Sequence, residues 1–204
     1  CFALPEGTLV KDVLGKTQAE LQPLFCGTLD ESGLSCQALR QTDADVVHIS
    51  PSHHYPTGIV MPVTRRLELF EWVNRIRKRY IIEDDYDSEF RYTGRFILPL
   101  YAQDTQSRVI YMNTFSKSLV PSLRISYMVL PEHLLPAWRS AYRLYSSTVG
   151  RFEQQTLARF ITEGYFTRHL ARERVAYKAR RDALTAALRQ AFPARELTLT
   201  GLHT

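Results

Sequence analysis

The chain has 204 residues, of which 45% are hydrophobic and 23% are charged, and its formal net charge at pH 7 is +5. These proportions are typical of a soluble globular chain of one domain or one and a half, and they exclude disordered and fibrous proteins. No apolar run approaches the roughly 20 residues that a membrane-spanning helix needs, and no signal peptide is visible. The composition therefore predicts a globular protein with a sizeable hydrophobic core and no membrane partner.

The basic residues and the cysteines indicate which partners and which compartment to expect. Positive charge is concentrated in residues 65–79 and 168–189, but neither segment interleaves aromatic with basic residues as a nucleic-acid groove does. We therefore expect solvated helix faces there, with a surface for nucleic acid or an acidic partner as the alternative. The three cysteines, Cys1, Cys26 and Cys36, match no zinc or redox motif. This cysteine usage predicts a reducing, cytoplasmic location.

The first half of the chain predicts a strand, a helix and a second strand. The apolar segments 46–50 and 80–82 predict buried strands. Between them, Pro62 opens a helix that we expect to continue to about Arg79. Its apolar face recurs every three or four residues, at Val63, Leu67, Phe70, Val73 and Ile76. This order predicts two parallel strands joined by a right-handed crossover, and hence an α/β fold.

The second half of the chain predicts two more strands and then three helices. We expect the strands at residues 108–112 and 125–130, and the first two helices at residues 134–145 and 152–161. The third helix is longer and ends before Pro193. Its shared apolar positions are Leu170, Tyr177, Leu184 and Leu188. After its last strand, the chain is therefore expected to be helical.

Polar segments follow three of the predicted strands, at the point where each strand ends. Residues 51–58 form a rigid loop after the first strand, the acidic run 83–87 follows the second, and residues 113–117 follow the third. Open α/β sheets bind their ligands beyond the carboxyl ends of the strands. We therefore expect these three segments to form a single site.

Lys117 is the reactive group that we predict for this site. It lies among hydroxyl residues just past the apolar run 109–112, and Arg124 follows it. Partial desolvation and a nearby cation would both lower the pKa of the amine and leave it neutral and nucleophilic. Such a lysine suits a carbonyl cofactor whose phosphate is bound by the arginine and the hydroxyls. A solvated turn is the alternative interpretation of this segment. The Thr114-x-x-Lys117 spacing also suggests an acyl-transfer site, but the catalytic serine of such a site is absent.

The acidic run supplies a candidate partner for a cationic ring. A carboxylate at the end of a buried strand needs a partner, and Asp84 or Asp85 would find one in a protonated pyridine nitrogen. Tyr86 points to the same side of an extended chain as Asp84, so its hydroxyl would bond the phenolate oxygen of the same ring. The alternatives are a solvated acidic turn and a Mg²⁺ or Ca²⁺ site. The run lacks a glycine turn, and the adjacent His53 and His54 point apart, so no metal site is predicted.

Together these segments resemble the pyridoxal-phosphate (PLP) enzymes of fold type I, the aspartate aminotransferase superfamily. The closer resemblance is to the aminotransferase-like domain of MocR-type regulators, within the GntR family. The resemblance runs from about Leu29 to the end of the chain. It rests on the order and spacing of residues 51–58, 81–92, 114–119, 123–127, 168–169, 180–182 and 201–203. It implies a fold type I large domain, a mostly parallel sheet flanked by helices, over residues 1–150 and the start of a small C-terminal domain over residues 151–204.

The resemblance also assigns roles to particular residues. Lys117 would be the Schiff-base lysine, and therefore the catalytic residue if the protein is an enzyme. Asp84 would face the pyridine nitrogen of PLP, and Tyr86 its phenolate oxygen. Arg124 would bind the phosphate with the help of Thr114.

The loop after the first strand departs from the typical aminotransferase pattern. By the resemblance, His54 and Tyr55 would line the cofactor. Typical aminotransferases have Asn where Tyr55 stands, which favours the regulators, and the regulators usually have Gln where His54 stands. The family's glycine-rich phosphate loop and its Asn-Pro-Gly-Tyr stretch are not recognisable, the latter near residues 5–8. The chain starts at Cys1, and the arginine that binds the substrate carboxylate is expected beyond Thr204, so we expect an internal piece of a longer protein.

The resemblance implies a sensing domain of a transcriptional regulator. An amino compound would form an external aldimine with PLP and change the position of a DNA-binding domain that lies outside this chain. A homodimer is implied as well. The alternative is an aminotransferase that moves an amino group between an amino acid and a 2-oxo acid, with Lys117 also transferring the proton. A cofactor-free structural domain is the third possibility, and whether the protein is an enzyme stays open at this point.

Overall fold

A four-stranded sheet forms the centre of the structure, a computed structural model that describes residues 29–55, 57–92 and 97–192. A two-stranded antiparallel hairpin, β1 (Leu29–Asp30) and β2 (Gly33–Leu34), precedes it. The strands of the main sheet lie side by side in chain order, as β3 (Val46–Ile49), β4 (Tyr80–Asp84), β5 (Val109–Thr114) and β6 (Ser126–Val129). The pairs β3–β4 and β4–β5 are parallel, and β6 is antiparallel to β5. This mostly parallel sheet confirms the predicted α/β fold.

The described helices of eight residues or more lie close to their predicted positions, and three shorter ones were not predicted from the sequence. In chain order they are α1 (Cys36–Arg40), α2 (Val63–Asn74), α3 (Leu100–Gln103), α4 (Phe115–Ser118), α5 (Leu135–Tyr142), α6 (Arg151–Thr162) and α7 (Tyr165–Ala191). Short 3-10 turns occupy Ser88–Phe90, Pro121–Leu123 and Glu132–Leu134. None of the described helices is both long and apolar enough to cross a membrane. The predictions for Cys1, Cys26, residues 5–8, Pro193 and residues 201–203 lie outside the described residues.

Two clusters of buried side chains cover the two faces of the sheet. Ile81 belongs to the cluster on one face, whereas its neighbours Tyr80 and Ile82 belong to the other. Successive residues of a strand point to opposite faces, so a strand buried on both sides reads as a continuous apolar run. That burial explains why segment 80–82 is apolar at every position.

The buried face of α2 differs from the predicted one. Val63 and Leu67 are 57% and 59% exposed, whereas Leu69 and Trp72 are fully buried, and the helix ends at Asn74 rather than near Arg79. Arg66 is buried on the same side as Leu69. Its guanidinium donates to the backbone carbonyls of three residues, Pro51, Met61 and Leu98. Arg66, a charged residue, thus belongs to the interior. A search for apolar repeats in the sequence cannot identify such a buried arginine.

Strand β5 is longer than predicted and positions the third polar segment. It continues through Thr114, so Lys117 lies in the short helix α4 that follows the strand directly. The carboxyl ends of β3, β4 and β5 lie at the same edge of the sheet because the three strands are parallel. The three polar segments identified in the sequence therefore follow strands that end at one edge.

Helix α7 carries fewer buried residues than its apolar repeat suggests. Leu170 is buried, but Tyr177 and Leu184 are 40% and 62% exposed. The helix contacts the site through His169, whose Nε2 lies 3.1 Å from the carbonyl oxygen of Ser118 in α4. The Tyr177 ring meets the Phe90 ring edge-on, with 5.2 Å between their centroids. Helix α7 thus contacts residues that lie just after two of the three polar segments.

Candidate functional site

Lys117 forms an ion pair at the edge of the sheet. Its Nζ lies 2.8 Å from Oδ2 of Asp87 and 5.1 Å from the centroid of the Tyr86 ring. The Lys117 side chain is 51% exposed. The charge closest to the amine is thus a carboxylate, which the sequence did not predict, and half of the side chain is in contact with water. The pair instead joins the segment after β5 to the segment after β4.

Asp87 also binds the loop that follows β3. Its Oδ2 lies 2.7 Å from Nδ1 of His53, and only 2% of its side chain is exposed. Its second oxygen, Oδ1, is buried and has no hydrogen-bond partner among the described residues. One carboxylate thus connects the three polar segments, as the sequence predicted for a single site. Neither Asp87 nor the role of His53 was singled out from the sequence, since Asp87 is only one of several acids in its run.

Tyr86 is held by the same loop. Its hydroxyl donates a 2.8 Å hydrogen bond to the carbonyl oxygen of His53, and its ring stacks on the His53 ring with 6.3 Å between centroids. Burial raises the pKa of the Tyr86 phenol well above its usual range, and the charges of Asp87 and Asp84 act in the same direction. The phenol is therefore neutral, and in this structure its one proton is donated to the His53 carbonyl.

Asp84 ends β4 and faces the neighbouring strand. Its Oδ2 lies 3.5 Å from Nε2 of His48 on β3, and one third of its side chain is exposed. His48 was missed in the sequence, although a lone polar residue between the buried Val47 and Ile49 is a usable signal. Asp84 therefore presents a carboxylate that is partly open to a ligand and already has a histidine beside it.

Asp85, the other candidate for the ring nitrogen, uses one oxygen inside the protein, while its Oδ1 is buried and has no hydrogen-bond partner among the described residues. It is buried, and its Oδ2 accepts hydrogen bonds from the hydroxyls of Ser88 at 2.7 Å and Tyr111 at 2.9 Å. The Asn113 amide continues this network by donating to the Tyr111 oxygen at 3.0 Å and to Glu89 Oε1 at 3.1 Å. Burial raises the pKa of both Tyr111 and Glu89. The exposed position of Asp84 thus favours it over Asp85 as a ligand group.

Thr114 and Arg124 flank Lys117 on either side of α4. The Thr114 hydroxyl accepts the backbone N–H of Ser116 at 3.2 Å and so caps α4, while it also donates to the carbonyl oxygen of Ile125 at 3.3 Å. Arg124 has a left-handed backbone with φ of 52°, which is unfavourable for a residue other than glycine. Such strain persists where the surroundings determine the conformation, and it is concentrated at functional sites. The backbone N–H of Phe115 donates to the carbonyl of Ile125 at 2.9 Å, so the backbone next to Arg124 lies at the start of α4.

The loop after β3 is closed by its own hydrogen bonds. The backbone N–H of His54 donates to the carbonyl of Ile59 at 2.9 Å, and Gly58 donates to the carbonyl of His54 at 2.7 Å. Gly58 adopts φ of 71°, which a side chain would oppose. Nδ1 of His54 lies 2.9 Å from the Thr57 hydroxyl, whereas His53 contacts Asp87, so the two histidines do point apart. Burial lowers the pKa of His54, and Tyr55 is 62% exposed.

The chemistry of these groups fits PLP. At this edge of the sheet lie the amine of Lys117, the partly exposed carboxylate of Asp84 and the neutral phenol of Tyr86, and the chain adds the guanidinium of Arg124 just after the turn Pro121–Leu123. Those four groups match the aldehyde, the pyridinium nitrogen, the ring oxygen and the phosphate of that cofactor. Among the described residues, no cluster of three or more His, Cys, Asp or Glu side chains could hold a metal ion. The individual residue roles remain predictions.

Comparison with known proteins places this site in a family. No protein-family model matches the chain. It is 42% identical over 162 residues to the HTH-type transcriptional regulator YdeL of Bacillus subtilis, a match that covers 79% of the chain and 35% of YdeL. It is 36% identical over 176 residues to the probable rhizopine catabolism regulatory protein MocR of Rhizobium meliloti, covering 84% of the chain and 34% of MocR. The chain thus spans about a third of the length of these curated relatives.

A solved aminotransferase shares the fold. The kynurenine aminotransferase of Pyrococcus horikoshii, solved in complex with PMP, aligns with a TM-score of 0.69 and 32% sequence identity. The alignment covers 78% of the chain and 42% of that enzyme. The described sheet and helices thus have the architecture of fold type I aminotransferases. The chain belongs to the MocR-type regulators of the GntR family, within the aminotransferase-like domain that these regulators share with fold type I enzymes.

Proposed function

We propose that this chain binds PLP through Lys117 and serves as the sensing domain of a MocR-type transcriptional regulator. The observation that supports the proposal most directly is the position of Lys117. Its Nζ lies 5.1 Å from the Tyr86 ring centroid, at the edge where the parallel strands end. The lysine expected to bind the cofactor and the tyrosine expected to contact its ring are thus adjacent, although they lie on different strand ends.

Five further residues would hold the cofactor. Asp84 would pair with the ring nitrogen, Arg124 and Thr114 would bind the phosphate, and the loop that contains His54 and Tyr55 would line the ring. When bound, PLP supplies an aldehyde that condenses with primary amines and a ring that withdraws electrons from the attached carbon. The carboxylate of Asp84 would keep a ring nitrogen protonated, and the neutral phenol of Tyr86 would donate its proton to a ring oxygen in place of the His53 carbonyl.

The regulatory role is proposed from the relatives. YdeL is named as an HTH-type transcriptional regulator and MocR as a regulatory protein, and the chain covers about a third of each. We propose that DNA is bound by a separate domain of the parent protein, that the protein works as a homodimer in the cytoplasm, and that its effector is an amino compound. A primary amine is the natural effector because it competes with Lys117 for the same aldehyde.

Absorbance spectroscopy tests the cofactor proposal. The purified protein incubated with PLP should develop an absorbance band near the edge of the visible range, and borohydride reduction followed by peptide mass spectrometry should locate the cofactor on Lys117. The variant Lys117→Ala should lose the band. Lys78→Ala is the matched control, because Lys78 is also ion-paired to an aspartate and lies outside the site. A band that survives in Lys117→Ala would contradict the proposal.

A second candidate function is transamination, favoured by the 32% identity to an aminotransferase solved with PMP. An enzyme should convert bound PLP to PMP when an amino acid is added and restore it when a 2-oxo acid follows. A sensor should change its absorbance with the amine and revert when the amine is removed by dialysis, with no 2-oxo acid formed. Measuring the 2-oxo acid directly distinguishes the two functions.

A further inference from the structure

The carboxylate nearest to Lys117 is Asp87, which none of the predicted cofactor contacts includes. Asp87 Oδ2 lies 2.8 Å from Nζ of Lys117, whereas Asp84 has His48 as its neighbour at 3.5 Å. A buried carboxylate is costly unless it is paired, and only 2% of the Asp87 side chain is exposed. The ion pair therefore stabilises the buried charge of Asp87. It also fixes the position of the Lys117 amine, although half of that side chain is exposed.

Asp87 has a second polar partner, in the loop that follows β3. His53 Nδ1 lies 2.7 Å from the same Oδ2 oxygen that binds Lys117. Oδ1, by contrast, is buried and has no hydrogen-bond partner among the described residues. If Lys117 leaves, Asp87 keeps His53, and the carboxylate is never left without a partner. The Lys117 amine can therefore leave Asp87 at a limited cost in free energy, because Asp87 keeps a hydrogen-bond partner in His53.

Three other titratable groups, Tyr86, Tyr92 and Glu89, interact with the charge of Asp87. On the other side of Lys117, His169 of α7 contacts the carbonyl of Ser118. Burial, with a further contribution from the charge of Asp87, raises the pKa of Tyr86, Tyr92 and Glu89. The two phenols are therefore uncharged near neutral pH and cannot replace Asp87 as the counter-ion. Glu89 is engaged with Asn113 at 3.1 Å. Asp87 is thus the carboxylate that acts on Lys117 at close range.

We propose that Asp87 is a positioning residue that holds Lys117 as an ammonium ion at the edge of the sheet until a carbonyl compound takes the amine. An ammonium ion must lose one proton before its nitrogen can form a bond to a carbonyl carbon, and a carboxylate at 2.8 Å favours the charged form. Asp87 therefore opposes premature reaction of Lys117 with cellular aldehydes. His53 retains Asp87 once Lys117 has reacted.

Reductive methylation of Lys117 tests this role without PLP. The neutral amine adds to formaldehyde, water leaves, and hydride from cyanoborohydride reduces the C=N bond to an N-methyl group. The rate at Lys117 is followed by peptide mass spectrometry between pH 7 and 10. In Asp87→Asn, Lys117 should be modified roughly three-fold faster or more at the lower pH values of this profile, because no carboxylate then opposes loss of the ammonium proton. Asp87→Glu keeps the charge and should restore the original profile.

Lys78 supplies a matched control within the same chain. Its Nζ lies 3.2 Å from Oδ1 of Asp45, whose side chain is 8% exposed. Asp87→Asn should leave the Lys78 profile unchanged, and Asp45→Asn should shift Lys78 but not Lys117. An unshifted Lys117 profile in Asp87→Asn, or a shift of the same size in Asp87→Glu, would overturn the proposal.

A second measurement decides the matter if Asp87→Asn does not fold. In Asp87→Ser, which also removes the carboxylate, Lys117 should again be modified roughly three-fold faster than in the parent protein, and an unchanged rate overturns the proposal. The proposal rests on the proposed function only for the identity of Lys117 as the reacting amine. Failure to bind PLP would refute that function, whereas the formaldehyde profile decides the role of Asp87 separately.

Discussion

Glu83 Oε1 accepts a 2.8 Å hydrogen bond from the backbone N–H of Leu100, the first residue of α3. Its other oxygen accepts the N–H of Tyr101 at 2.8 Å, so one buried carboxylate holds the start of that helix. Burial nevertheless raises the pKa of Glu83 to about 7. The free energy of unfolding should therefore depend on pH between the ordinary pKa of a glutamate and about 7.

The sign of that dependence follows from the direction of the shift. The folded state binds the Glu83 proton more tightly than the unfolded state, so the free energy of unfolding should fall as the pH rises from about 4.5 to about 7 and stay level above that. The decrease should be at most about 3 kcal/mol. In Glu83→Gln, urea unfolding between pH 5 and 8 should show a flatter profile. The exposed Glu71→Gln is the control, and an equally steep profile in Glu83→Gln would contradict the prediction.

Truncations at Leu69 and Leu67 should have very different effects. Leu69 is fully buried and Leu67 is 59% exposed, although both lie on α2 two residues apart. Leu69→Ala leaves a cavity and should lower the free energy of unfolding by about 2–5 kcal/mol, whereas Leu67→Ala should change it by less than about 0.5 kcal/mol. Urea denaturation of both variants measures the difference. Equal losses would mean that the apolar repeat, rather than the observed face, packs against the sheet.

Arg66 should be necessary for stability because its guanidinium is buried. Arg66→Met removes the donors to three carbonyls and leaves those oxygens buried, so the free energy of unfolding should fall by about 3–5 kcal/mol. Arg75→Met is the control, since Arg75 is 62% exposed and pairs with Glu71 at 3.8 Å. That change should cost less than about 1 kcal/mol. Similar losses in both variants, measured by urea unfolding, would argue against a structural role for Arg66.

Asp84 and Asp85 should affect different properties of the protein. Asp84→Asn should weaken PLP binding about 10-fold or more, because a hydrogen bond between charged groups would be lost, and should leave stability nearly unchanged. Asp85→Asn disturbs the buried contacts with Ser88 and Tyr111 and should lower stability instead. Fluorescence titration with PLP and urea unfolding separate the two effects. Normal PLP affinity in Asp84→Asn would refute its assignment to the ring nitrogen.

Arg124 should discriminate between PLP and pyridoxal. Arg124→Ala should lower the affinity for PLP by about 10-fold or more, and Arg124→Lys should lower it less, since lysine keeps the charge but loses the bidentate geometry. Pyridoxal lacks the phosphate, so its affinity should be the same in all three proteins. The comparison of the two titrations is the measurement. A parallel loss of pyridoxal binding would assign Arg124 a structural role, to which its left-handed backbone would contribute.

The segments that form the site could be predicted from the sequence, because the change from apolar to polar residues shows where each strand ends. The apolar runs before Glu83 and Asn113 predict two strands, and parallel pairing of those strands brings the polar segments after them to one edge of the sheet. The partners within that edge could not be predicted. Asp84, Asp85 and Asp87 look alike in sequence, yet Asp85 is buried in a hydroxyl network and Asp87 is the one that binds Lys117.

The sequence by itself determined the α/β fold, the family and the segments that form the site, since hydrophobic periodicity and motif spacing are properties of the chain. Only the tertiary structure decided which face of α2 is buried, that Lys117 is paired rather than desolvated, and that His48 and His53 stand beside Asp84 and Asp87. The reason is that burial and ion pairing depend on groups distant in sequence. The pair Lys117–Asp87 joins two strand ends, and no local pattern specifies how side chains meet across them.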